Sequence, residues 1–82
     1  MNISSLIVHA RPESGAALRA RLGAIRGVEI HAVADDGRMI VTIESDDDGA
    51  TAATYEAIER AEGVLAVAMV YQQTESDPER EI

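Results

Sequence analysis

From residue 3 to residue 10 the chain is mostly aliphatic and β-branched, and this run stops at Arg11-Pro12. Proline offers no N–H to a sheet ladder but fits the first turn of a helix, so the pattern predicts a strand followed by a helix. Over residues 13–25 the large apolar side chains Leu18, Leu22 and Ile25 fall at i, i+4 and i+7, a single helical stripe. Arg19, Arg21 and Arg26 lie off the stripe, and Gly27 is the expected helix stop. Residues 28–34 alternate Val28, Ile30 and Ala32 with Glu29, His31 and Val33, and residues 38–45 alternate in the same manner. Between them Asp35-Asp36-Gly37 predicts a hairpin, because glycine accepts a positive φ where two strands reverse.

Asp46-Asp47-Asp48 stands at the entrance of a second helix, where carboxylates cap free N–H groups and meet the positive end of the helix dipole. That helix has the stripe Thr54, Ala57, Ile58 and Ala61, an i, i+4 pair of Glu56 with Arg60, and a stop at Gly63. Residues 64–71 form an unbroken aliphatic run ending in Tyr71, read as a strand buried on most of both faces. Beyond it the chain is polar and acidic around Pro78 and is expected to be disordered. The division is one domain over residues 1–72 and an acidic tail over residues 73–82.

The order βαββαβ predicts an α+β, ferredoxin-like fold: a four-stranded antiparallel sheet, with the first and third strands central and two helices on one face. The other face is then uncovered. Strand side chains alternate between faces, so polar residues mark the open one. Ser5, Ile7 and His9 are expected outward from the first strand, with Leu6, Val8 and Ala10 inward. In the third strand Ile40, Thr42 and Glu44 point out, and Met39, Val41 and Ile43 in. In the fourth, Ala66, Ala68 and Val70 suit the open side and the bulkier Leu65, Val67 and Met69 the core. The expected result is a shallow apolar trough with acids near its ends, a surface that marks binding or oligomerisation. An amphipathic helix laid in a groove is one use of it; a homodimer packed sheet to sheet accounts for it equally well.

Charge narrows the partners. Seven arginines, no lysine and fifteen acids give a net charge of −8, which disfavours nucleic acid and anionic membrane surfaces and suits a cationic partner. Solubility alone also accounts for such a charge. The sheet lacks the central-strand aromatics with which this fold stacks RNA bases. With no cysteine, disulfides and thiolate sites are excluded. The first ten residues contain no cationic leader and no apolar run long enough to span a bilayer, which predicts a cytoplasmic protein.

No phosphate loop, metal-ligand pair or Ser-His-acid set can be assembled, so neither catalysis nor a metal or other cofactor is expected. His9 and His31 read as solvated or hydrogen-bonded strand residues, and the acidic triplet lacks the ligand spacing of a calcium loop.

Four segments together resemble the NapD-type chaperones: Ser4-Ser5-Leu6-Ile7-Val8, Ile25-Arg26-Gly27-Val28-Glu29-Ile30, Gly37-Arg38-Met39-Ile40-Val41-Thr42-Ile43-Glu44, and Glu62-Gly63-Val64-Leu65-Ala66-Val67-Ala68-Met69-Val70-Tyr71. The last is the most specific. The resemblance implies a chaperone that holds the twin-arginine signal peptide of the periplasmic nitrate reductase catalytic subunit, as a helix across the open face, until molybdenum cofactor insertion is complete. The peptide-binding residues so expected are Ser5, Ile7, His9, Ile40, Thr42, Glu44, Ala66, Ala68 and Val70, with Asp46 or Asp47 as further carboxylates for the arginines. A monomer is expected, with a homodimer as the alternative. Two other readings share the element order, an ACT-like small-molecule sensor module and a sheet-to-sheet structural homodimer.

Overall fold

The computed structural model describes residues 1–73 and the backbone of Thr74. The elements run β1 (Asn2–Ala10), a 3-10 turn (Pro12–Ser14), α1 (Gly15–Gly23), β2 (Val28–Val33), β3 (Arg38–Ser45), α2 (Asp48–Arg60) and β4 (Val64–Thr74). The strands form one antiparallel sheet in the order β2-β3-β1-β4, the arrangement expected from the sequence.

Between the sheet and the helices lies one core, made of Leu6, Val8 and Ala10 from β1, Met39, Val41 and Ile43 from β3, Leu18 and Leu22 from α1, and Ile58 from α2. Within each strand these residues are two apart, and Leu6 pairs with Val41 and Val8 with Met39, so both strands turn them to one face, which the helices share. Tyr55 packs against this core and its hydroxyl donates to the Val67 carbonyl at 3.1 Å, tying α2 to β4. That bond fixes the rotation of α2. Its inner stripe is therefore Thr51, Tyr55 and Ile58, at i, i+4 and i+7, and Ala57, expected inward, is exposed.

The N-terminus of α2 uses the acidic triplet as local chemistry requires. Asp47 is the N-cap and accepts from the Ala50 N–H at 2.7 Å. Asp48 accepts from the buried Asn2 amide at 2.5 Å, which ties the start of α2 to the start of β1. The Ser45 and Thr51 hydroxyls bond to one another and lie 3.2 Å and 3.1 Å from the Asp47 carbonyl, so one donates to its neighbour and the other to the carbonyl. At the other end Glu56 and Arg60 form the expected pair at 2.6 Å.

α1 ends at Gly23 rather than running on to Ile25, and Gly27 has a different task from stopping it. Gly27 sits at φ +85 in a turn closed by Val28 N–H donating to the Ile25 carbonyl at 3.1 Å, and its own carbonyl accepts from the Glu44 N–H at 2.8 Å. A Cβ there would run into the Glu44 carbonyl. The turn Ala61–Val64 repeats the construction at the end of α2, with Val64 N–H to the Ala61 carbonyl at 3.1 Å. Each helix thus feeds the next strand through the same device.

Three irregularities separate the observed sheet from uniform alternation. In β2 the pairing with β3 shifts between Ile30 and Ala32, leaving His31 as an extra residue. In β4 the pairing with β1 shifts twice, leaving Leu65 and Val70 without partners. Leu65, expected in the core, is 61% exposed because Val64 takes the position opposite Ala10. Val67 and Met69 stay on the helix side, opposite Val8 and Leu6.

β4 also runs past the expected boundary at residue 72. β1 begins at Asn2, and its first residues have backbone groups to satisfy, so Gln73 pairs with Ile3 and Thr74 with Asn2. The rest of the expected disordered tail, residues 75–82, lies outside the described residues.

Candidate functional site

The face away from the helices is built from residues that pair across strands and therefore stand side by side. Its apolar centre is the row Ala32, Ile40, Ile7, Ala68, crossing β2, β3, β1 and β4 in turn. Toward one end of the sheet comes the row Glu29, Thr42, Ser5, Tyr71, and beyond it Glu44, Ile3, Gln73. Toward the other end lies the row Arg38, His9, Ala66. Ile40 is 42% exposed in the middle of this surface, while Ile7, Ser5 and Thr42 are half-buried among their neighbours.

Eight of the nine residues expected on this face, Ser5, Ile7, His9, Ile40, Thr42, Glu44, Ala66 and Ala68, stand in these rows. The ninth, Val70, is the extra residue of a β-bulge, 58% exposed, and Tyr71 occupies the position opposite Ser5 in its place. The same effect in β2 turns Ala32 outward beside Ile40 and brings the His31 ring to the face, where Nε2 lies 2.7 Å from the Thr42 hydroxyl. Sequence reasoning missed Ile3, Tyr71, Gln73, Glu29, His31 and Ala32. Ile3 could have been found by carrying the alternation of the first strand two residues back, and Glu29 and His31 from the alternation of the second; Ala32, Tyr71 and Gln73 follow from bulges.

Charge is distributed unevenly along the strands. Glu29 and Glu44 are exposed toward one end, and among the described residues neither forms an ion pair. At the other end Arg38 is held by Asp36, Nε to Oδ2 at 2.8 Å, while the Arg38 N–H donates to Asp36 Oδ1 at 3.1 Å. The backbone N–H bond, then the guanidinium charge and its hydrogen bond, hold the Asp36 carboxyl below its ordinary range. Of the acids proposed as further partners for arginines, Asp47 is occupied as the α2 cap, and Asp46 is exposed beside Glu44's end of β3.

No three His, Cys, Asp or Glu side chains among the described residues form a group that could hold a metal ion. The arrangement is an uncovered sheet face, apolar at its centre and acidic toward one end.

Residues 1–76 match the family model described as NapD protein. The chain belongs to the NapD family. It is 38% identical to the chaperone NapD of Escherichia coli K12 over 79 residues, 94% of this chain and 90% of that one. To the chaperone NapD of Paracoccus pantotrophus it is 33% identical over 81 residues, 99% of this chain and 71% of the relative. Among solved structures it is similar to the solution structure of the E. coli Tat proofreading chaperone protein NapD, with a TM-score of 0.81 at 35% identity, covering 89% of this chain and 78% of that one. The NapD relatives carry the name of chaperones, which agrees with the expectation that this chain is not an enzyme. No helix among the described residues is long and apolar enough to cross a membrane.

Proposed function

We propose that this NapD-family chain is a monomeric cytoplasmic chaperone that holds the twin-arginine signal peptide of the periplasmic nitrate reductase catalytic subunit. It prevents export until molybdenum cofactor insertion and folding are complete. The observation that carries this reading is the polarity of the open face, an apolar row across four strands with exposed carboxylates toward one end that form no ion pair among the described residues. A twin-arginine signal has the complementary order, a basic head followed by an apolar stretch. The E. coli relative's description as a Tat proofreading chaperone supports the same assignment.

In this reading Ile7, Ile40, Ala66, Ala68 and Val70 receive the apolar stretch, Ser5, Thr42 and His9 flank it, and Glu44 with Asp46 meets the arginines. The dimensions fit. Six strand steps from Arg38 to Glu44 span ~20 Å, the length of about 13 residues of α-helix.

Energetics decide which contacts matter. Micromolar to nanomolar capture needs roughly 8 to 12 kcal/mol, and ordering a flexible peptide subtracts about 2 to 5 kcal/mol. Exposed ion pairs add only about 0.2 to 1 kcal/mol each. Apolar burial therefore supplies the affinity, and Glu44 and its neighbours supply orientation and encounter rate.

Calorimetric titration with the synthetic signal peptide, beside a scrambled peptide of equal charge, tests the assignment. Tight one-to-one binding of the native order alone is expected. Equal, weak binding of both would reduce the effect to charge attraction and defeat the proposal, as would a face already closed in a stable homodimer.

A further inference from the structure

A second surface lies off the open face. β4 has β1 along one side and, among the described residues, no strand along the other, so backbone groups of alternate residues between Val64 and Thr74 point outward without a strand partner. No charged residue or proline interrupts this stretch, although both are usual means of blunting an exposed edge. Beside the edge, a groove of about 660 Å³ runs between α2 and β4. Its lining includes the half-buried Tyr55, Met69 at 40% exposure, and the exposed carboxylates Asp48, Glu56 and Glu59. Arg60, the cation in the lining, is bound to Glu56. The Tyr55 hydroxyl already bonds a β4 carbonyl, that of Val67.

Charge selects the occupant. A second copy pairing edge to edge would set α2 against α2, bringing Glu56 and Glu59 against their equivalents on two chains of net charge −8 each. A nucleic acid would meet the same repulsion. A cationic peptide is attracted, and an open strand edge takes it in extended form by strand addition.

We propose that the groove between α2 and the free edge of β4 receives an extended cationic peptide segment, paired to β4 as a fifth strand with its basic side chains against Glu56 and Glu59. The twelve helical steps from Asp48 to Arg60 span ~18 Å, enough for about five or six extended residues. Alternate side chains of the segment face the groove, so the preferred pattern alternates basic and apolar. The proposal stands apart from the assignment of the open face and survives or fails without it.

The test uses the full chain and a blocked hexapeptide of alternating Arg and Val, followed by amide NMR shifts and amide hydrogen exchange at low ionic strength. Expected are shifts on α2 and β4, slowed exchange of β4 amides, and no binding by the same peptide N-methylated at alternate residues, since methylation removes the strand-pairing donors. The double variant Glu56→Gln, Glu59→Gln, at exposed positions, weakens binding about threefold to tenfold, and added salt erases the difference. Binding by a Glu-Val hexapeptide of equal strength, retained binding by the N-methylated peptide, or changes confined to Ile7, Ile40 and their row would overturn it.

Discussion

Ile40→Ala and Glu44→Gln together separate the two forces assigned to the open face. Ile40 is 42% exposed at the centre of the apolar row, and Glu44 is exposed at the acidic end of the same strand. Full burial of an isoleucine side chain stabilises by about 1.5 to 3 kcal/mol, so covering the exposed part of Ile40 contributes roughly 0.6 to 1.3 kcal/mol on the same scale. At 1.4 kcal/mol per factor of ten, truncation weakens signal-peptide binding by about threefold to ninefold. Because the loss is hydrophobic, it persists when salt is raised. Glu44→Gln removes at most one exposed ion pair, about 0.2 to 1 kcal/mol, and that effect fades as the screening length falls from about 10 Å at 0.1 M to 3 Å at 1 M salt. Calorimetry of both variants at the two salt concentrations, with thermal unfolding to verify that each is folded, reads the difference. The reasoning is refuted if Ile40→Ala leaves Kd within a factor of two, or if its effect disappears with salt while that of Glu44→Gln persists.

Further outcomes follow from the same geometry. Ala68→Trp places an indole beside Ile7 on the open side of an edge strand; the variant should fold, yet lose signal-peptide binding at least tenfold, on the order of 1.4 kcal/mol, by calorimetry. Leu22→Ala opens a cavity at a fully buried position and should cost about 2 to 5 kcal/mol in denaturant unfolding, a large share of the stability of so small a domain. Gly37→Ala should destabilise by more than about 1 kcal/mol, roughly the penalty of a left-handed L-residue, because φ is +93 and a Cβ would meet the Ala10 carbonyl. The Asp36 carboxyl should titrate below an ordinary aspartate in a carbon-detected NMR titration, and Arg38→Gln, which keeps the backbone N–H, should retain part of the depression. A depressed folded-state value means that the Asp36 contribution is present above the unfolded-state pKa and is lost as pH falls through the folded one.

The sequence by itself determined the order of elements, the class of fold and the faces of the two central strands. Leu18 and Leu22 lie one helical turn apart, Leu6 and Val8 differ by two residues, and both periods are local properties of the backbone. Central strands are also bonded on both sides, so β1 and β3 keep strict alternation from Ser4 to Ala10 and from Met39 to Ile43 in their burial. The edge strands have one free side and can absorb an extra residue, and there the tertiary structure decided. His31, Leu65 and Val70 are such residues: after His31 and Val70 the chain changes face, which is why Ala32 and Tyr71 join the open surface, whereas Leu65 is itself left unpaired and out of the core while residues 66–69 keep their expected faces. The phase of α2 was likewise set at a distance, by the Tyr55 hydroxyl reaching the Val67 carbonyl twelve residues away. Gly27 looked like a helix stop because glycine ends helices, but its conformation answers to the Glu44 backbone packed against it. Local spacing fixes what a segment becomes; how two segments fit together depends on contacts that the linear pattern does not contain.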